Sequence, residues 1–228
     1  PERVTRLSAV RKDAVTAELD FNPVTDATHY VIRRESNDES SDAPSIKEFL
    51  TNVTHFIDRS IDSLHSYSYS VRAMIGEHSR QVSESASIQP VVEWMDDRDP
   101  RVQYGPAFHN WEDADLFAGT EKYADLTVDS YSDNDATARI SFNGRGIEIY
   151  GLKSSELGLA EVQIDGKKVG DLDFHISGET EKSALIGRFT GLPDGEHLLT
   201  LTVKKEHLNR GNERSKISID YFKIYPGQ

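Results

Sequence analysis

The chain is 228 residues long, with 26 basic and 39 acidic side chains and a formal net charge of −13. Its first 90 residues carry 10 basic against 14 acidic groups and the remainder 16 against 25. Both halves therefore repel a phosphate backbone, and neither nucleic acid nor an anionic membrane surface is expected as a partner. The complete lack of cysteine excludes disulfides, thiolate metal sites and a cysteine nucleophile.

Hydrophobic residues make up 36% and aromatic residues 9%, which suits thin sandwiches filled by a few large rings. No apolar run is long enough to span a membrane, and no signal peptide is visible. The chain starts at Pro1 rather than Met, and it is expected to be a piece of a longer polypeptide.

Residues 1–89 read as short strands at regular spacing with turn residues between them. Val15, Ala17, Leu19 and Phe21 alternate on one face, as do Tyr30 and Ile32. Tyr67–Ala73 alternates apolar and polar over seven residues, and the polar run Asn37–Ser45 is a loop. The elements Leu19–Val24 (LDFNPV), Ala27–Ile32 (ATHYVI) and Tyr67–Ala73 resemble a fibronectin type III domain. That family usually carries Trp where Phe21 stands, so an aromatic plug is kept. Tyr67 matches the family's tyrosine corner, whose hydroxyl bonds back to nearby backbone. The boundary falls at Gln89-Pro90-Val91-Val92, giving domains of 1–90 and 91–228.

The second half is also β-rich. Ile140 and Phe142, Asn143-Gly144, then Ile147 and Ile149 form a hairpin signal over Ala138–Gly151. Asp165-Gly166 repeats it between Val162/Ile164 and Val169. Leu192–Gly195 turns into a strand holding Leu199, Leu201 and Val203, and a last strand runs Ile217–Tyr225. Trp94 is read either as core in the first strand or as a contact between the halves. No helix longer than a turn or two is expected. The fold class is all-β: a fibronectin type III (immunoglobulin-like) sandwich followed by a jelly-roll sandwich.

Gly119-Thr120, Gly144–Ile147, Ala160–Lys168 (AEVQIDGKK), Gly191–His197 and Ile219–Phe222 resemble a galactose-binding-domain-like module of the kind appended to bacterial glycoside hydrolases. The resemblance spans roughly residues 93–225. It implies a carbohydrate-binding module in a secreted or cell-surface bacterial protein, beside the catalytic and other modules of the same polypeptide.

Seven residues are candidates for holding sugar. Trp111, in the polar stretch FHNWED, is either an indole displayed on a loop or a core Trp. Tyr150 alternates away from Ile149 and should face outward, either as a sugar platform or packed against a neighbouring strand. Lys153 and Glu156, in KSSELGL between two strands, either offer groups for hydroxyls or belong to a solvated loop. Asn209, Arg210 and Asn212 lie in the one local basic patch, Lys204–Lys216, where an arginine would grip a carboxylate or sulfate.

Hard oxygen ligands occur in Asp96-Asp97-Arg98-Asp99 and in Asp133-Asn134-Asp135. The resemblance implies pairing of Asp97 with Asp220 for a structural calcium, which is left open; no other cofactor is expected. No nucleophile elbow and no phosphate-cradling glycine loop is present. The expectation is a non-catalytic accessory region of a glycoside hydrolase, the first domain a spacer and the second a carbohydrate-docking module. The alternative is a structural or protein-interaction pair with no sugar ligand.

Overall fold

A computed structural model describes residues 3–37, 45–126, 132–207 and 213–227. The chain divides into two compact units, Pro1–Val91 and Val92–Gly227.

The first unit holds β1 (Ser8–Arg11), β2 (Ala17–Asp20), β3 (His29–Asn37), β4 (Ser45–Thr51), β5 (His55–Asp58), β6 (Ser66–Ile75), β7 (His78–Ser79) and β8 (Ala86–Ile88). One sheet is ordered β1-β2-β5; the other is β4-β3-β6, with β7 and β8 both pairing onto β6. The alternation of β6 has a direct consequence: Tyr67, Tyr69, Val71 and Ala73 all enter the core between the sheets. Phe21 plugs that core against Tyr30, edge to face with centroids 4.9 Å apart. The Tyr67 hydroxyl accepts the backbone N–H of Asp62 at 3.0 Å, closing the tyrosine corner. A buried Asp58 accepts Arg34 Nη1 at 2.8 Å and the Tyr69 hydroxyl at 2.9 Å.

The second unit continues with β9 (Glu93–Asp96), β10 (Val102–Tyr104), β11 (Phe108–Glu112), β12 (Thr120–Asp125), β13 (Thr137–Asn143), β14 (Gly146–Lys153) and β15 (Leu159–Ile164). It ends with β16 (Lys167–Asp173), β17 (Glu181–Thr190), β18 (Glu196–Val203), β19 (Glu206–His207), β20 (Glu213–Arg214), β21 (Lys216–Ile219) and β22 (Tyr221–Tyr225). Among the described residues the only helical elements are two short 3₁₀ turns, Phe117–Gly119 and Asp133–Ala136.

One layer is the five-stranded sheet β10-β13-β18-β15-β16; the other combines β17-β14-β22-β9 with β11-β12-β21. Their inner faces share one core, to which Ile140, Phe142, Val162 and Leu201 come from the first layer. Ile147, Ile149, Ile219 and Phe222 come from the second.

Two sequence expectations change here. Ala138–Gly151 is not a hairpin, because β13 and β14 lie in opposite layers. Alternation marks which side chains are buried, and it reads the same when two strands face one core from different sheets. The Asn143-Gly144 connection crosses between layers instead. Gly144 N–H donates to Gly195 O at 2.9 Å and Arg145 N–H to Tyr225 O at 2.8 Å. A Cβ on Gly144 would run into that Tyr225 carbonyl. The Asp165-Gly166 turn does form a hairpin, β15–β16, with both turn residues at positive φ (51° and 76°).

The last strand is likewise two strands. It breaks at Asp220, so that β21 pairs β12 while β22 pairs β14 and β9.

Trp94 is not a core residue. It is 50% exposed on β9 and stacks on Phe117 (5.5 Å) and Tyr221 (5.2 Å), with Lys223 Nζ 4.4 Å from its ring centre.

Candidate functional site

The site follows from one stretch of alternation. In β11-β12-β21 the register sets Phe108, Ala124 and Ile217 side by side, and these enter the core. The intervening residues face the other way: Trp111 opposite Glu121, Tyr123 opposite Ser218, and Asp125 opposite Lys216. Leu152 near the end of β14, the turn residues Ser154, Glu156 and Leu157, and Thr180 and Lys182 near the start of β17 wall this face. With Asp113 and Leu116 they enclose an open cleft of about 540 Å³.

Trp111 is therefore on a strand, not a loop, and it is not core: 55% of it is exposed. No aromatic ring among the described residues stacks on it, whereas Trp94 is faced by two rings and an ammonium. The indole face of Trp111 is thus the one open to a ligand. Leucines 116, 152 and 157 supply apolar wall, and the Ser154 and Thr180 hydroxyls and the carboxylates supply hydrogen-bonding groups.

The cleft's charges are unevenly matched. Lys182 Nζ is held by Asp113 at 2.7 Å and Asp115 at 3.1 Å, and Lys216 by Asp125 at 3.3 Å. Glu121 is buried, and its Oε2 accepts the Ser218 hydroxyl at 2.6 Å. Ser218 Oγ in turn accepts Leu152 N–H at 3.2 Å. Burial pushes the Glu121 carboxyl above the usual range. The Ser218 bond opposes that shift, and the charges of Asp220 and Asp113 add to it.

Of the residues singled out from sequence, Trp111 and Glu156 line this cleft; Tyr150 and Lys153 do not. Tyr150 faces away from the core as expected, but it is no platform. Its ring stacks on Tyr221 (4.4 Å, 8° between planes), Lys223 Nζ lies 4.8 Å from its centre, and its hydroxyl donates to Glu148 at 2.8 Å. Buried Glu148 also accepts the Tyr225 hydroxyl and Arg188 Nε. Asn209, Arg210 and Asn212 lie outside the described residues. Sequence reasoning missed Glu121, Tyr123, Asp125, Lys182, Lys216 and Ser218. The period of two in TEKYAD was a usable signal, since it sets Glu121, Tyr123 and Asp125 on one face.

The residues expected to pair around a calcium, Asp97 and Asp220, lie on adjoining segments. Asp97 N–H reaches Asp220 O at 3.1 Å, so the two segments do meet. The Asp220 carboxyl oxygens accept Phe117 N–H (3.0 Å) and the Ser183 hydroxyl (2.5 Å). Asp97 Oδ1 accepts the Thr120 hydroxyl at 2.7 Å, which leaves Asp97 Oδ2 and Asp96 Oδ1 buried without a hydrogen-bond partner. Burial and the neighbouring Asp96 charge raise the Asp97 carboxyl, and the Thr120 bond opposes them.

Asp135 closes its own 3₁₀ turn onto Ser132. Among the described residues one set of three metal-type donors converges, Glu18, Asp20 and His55 in the first unit. There the His55 ring already lies 2.8 Å from Asp20 and 3.5 Å from Glu18, and Lys12 takes the other Glu18 oxygen at 2.8 Å.

The fold and cleft define a two-unit, all-β sandwich protein with a recessed tryptophan- and carboxylate-lined surface on its second unit. No protein-family model matches the sequence. The chain is 24% identical over 145 residues to the A type blood alpha-D-galactosamine galactosaminidase of Flavonifractor plautii; the match covers 64% of this chain and 12% of that protein.

Among solved structures it is similar to the CBM36-1 domain of a multidomain xylanase from the hindgut metagenome of Trinervitermes trinervoides. That likeness has a TM-score of 0.37 and 13% identity, over 60% of this chain and 99% of that one. It is similar also to a two-fibronectin-type-III segment of chicken tenascin, with a TM-score of 0.36 and 14% identity, over 94% and 96% of the two chains.

Proposed function

We propose that this chain is a non-catalytic accessory region of a glycoside hydrolase: its second unit docks carbohydrate in the Trp111 cleft and its first unit is a spacer. The observation that carries the reading is the open indole of Trp111 beside hydroxyl and carboxylate groups in one recess. An indole face stacks on the C–H face of a sugar ring while such polar groups take its hydroxyls. The partial likeness to a galactosaminidase supports the hydrolase context.

The proposed partners are a glycan and the catalytic and other modules of the same polypeptide, in a bacterial secreted or cell-surface setting. Tethering then works by proximity: a weak docking site raises the local concentration of substrate around a linked active site. An open cleft buries little area, so affinity falls in the millimolar to micromolar range, about −4 to −8 kcal/mol.

The test is a glycan array followed by calorimetry on the protein and two variants. Trp111→Ala should weaken binding about tenfold or more, about 1.4 kcal/mol, with little change in melting temperature because the indole is half in solvent. Trp94→Ala should do the reverse, lowering the melting temperature and sparing affinity. The reading is overturned by silence of the array at millimolar sugar, by unchanged affinity in Trp111→Ala, or by turnover of a glycoside by the purified chain.

A further inference from the structure

The cleft holds more acid than its own cations neutralise. Lys182 is committed to Asp113 and Asp115, and Lys216 to Asp125. Among the described residues this leaves Glu121 and Glu156 in the lining without an ion pair of their own, Lys182 acting on Glu121 only from its place between Asp113 and Asp115. Glu156 is exposed on its turn and is solvated there. Glu121 is different: only 5% of it is exposed, and Ser218 bonds one of its two oxygens, Oε2. A carboxylate this far from water is costly unless a positive charge faces it. In the β11–β12 register it stands directly opposite Trp111, whose indole face attracts a cation in its own right. A buried anion and an open indole, side by side in a recess with leucine walls, specify a ligand with a charged nitrogen on an otherwise sugar-like body.

We propose that the cleft selects an amino sugar whose amine is free and protonated, the ammonium seated between Glu121 and the face of Trp111. This rests on the carbohydrate-docking reading and adds its substrate class. The ammonium supplies the charge that Glu121 lacks, and Leu116, Leu152 and Leu157 cover the ring's C–H surface. N-acetylation removes that charge and sets a bulkier, neutral amide against a carboxylate, so the acetylated sugar loses the contact. A neutral hydroxyl at the same place gives Glu121 an ordinary hydrogen bond only.

The experiment is calorimetry at pH 6.5 with the methyl glycosides of galactosamine and glucosamine, their N-acetyl forms, and galactose and glucose. The amines should bind about tenfold tighter than their N-acetyl counterparts. Glu121→Gln should abolish the amine preference, so that within the variant the amines bind no tighter than the neutral sugars. Glutamine still accepts the Ser218 hydroxyl, so the melting temperature should hold. Should that variant fold poorly, Glu156→Gln on the exposed turn reads the same preference and should reduce it about twofold to threefold.

Equal or stronger binding of the neutral or acetylated sugars overturns this inference alone, as does an amine preference that survives both substitutions. Absence of binding by all six sugars overturns it together with the docking reading.

Discussion

Replacing Asp97 by Asn should make this protein more stable at neutral pH, not less. Asp97 is 1% exposed, and its Oδ2 and the neighbouring Asp96 Oδ1 are buried without hydrogen-bond partners. Burial is the main force on Asp97 and the adjacent Asp96 adds to it. The Thr120 hydroxyl opposes both, and the carboxyl ends at about 6 instead of 3.8.

The native state therefore holds a proton that the unfolded chain releases. Its contribution is fully present below the unfolded value near 3.8 and is lost as pH rises through about 6. A shift of about two units at about 1.4 kcal/mol each puts the loss on the order of 2–3 kcal/mol above pH 7. Asn places a permanent N–H donor where that proton sits, and its carbonyl still accepts from Thr120.

Urea unfolding of the second unit, followed from pH 4 to 8, reads this directly. The parent should lose stability between pH 4 and 7; Asp97→Asn should flatten that slope and unfold at higher urea at pH 7.5. Millimolar calcium should leave the parent's midpoint unmoved. A parent curve without the slope, or a destabilised Asn variant, refutes the reading of Asp97 as a buried, protonated carboxyl. Stabilisation of the parent by calcium that Asp97→Asn abolishes assigns the orphaned oxygens to a cation instead.

Two further outcomes follow from single positions. His197 is buried with Nδ1 2.7 Å from Asp165 and Nε2 2.8 Å from Pro193 O. Both partners only accept, so the ring donates to both at once only when it is the imidazolium. Burial would lower its pKa, but the bonds to Asp165 and Pro193 outweigh that and raise it above 6.5. This stability is complete below pH 6.5 and fades as pH climbs through the raised value. Because Asp165 is half exposed, solvent screens the pair and keeps this contribution small. His197→Gln should remove that alkaline slope from a pH series of thermal melts, and an identical slope in the variant contradicts the assignment.

Gly151→Ala should be severe, since its Cβ would meet the Ser218 carbonyl of β21. Forcing the strands apart should cost about 3 kcal/mol and weaken sugar binding too, because Ser218 holds Glu121. A denaturation midpoint within error of the parent's refutes the close approach.

The sequence was read most reliably where one side chain reports its own environment. Tyr67–Ala73 announced its buried face by alternation, and Asp165-Gly166 announced a turn that requires positive φ. Phe21 and Tyr67 marked the first sandwich for the same reason: a large ring needs a core, and a buried hydroxyl needs a bond.

Pairing is another matter. The β13–β14 pattern satisfied a hairpin and an inter-layer crossing equally, and only the positions of Gly195 and Tyr225 separate them. Trp94 and Trp111 look alike as exposed indoles on strands; what parts them is that Phe117, Tyr221 and Lys223 converge on the first.

The amino-acid order by itself thus determined an all-β chain with two tandem sandwiches and the faces of its strongest strands, and it left Trp111 open between core and display. Tertiary structure alone decided that Glu121 lies across from that indole, that Tyr150 is spent on stacking, and that both oxygens of Asp220 accept hydrogen bonds. Those facts depend on which strand lies beside which, and alternation within a strand carries no information about its neighbour.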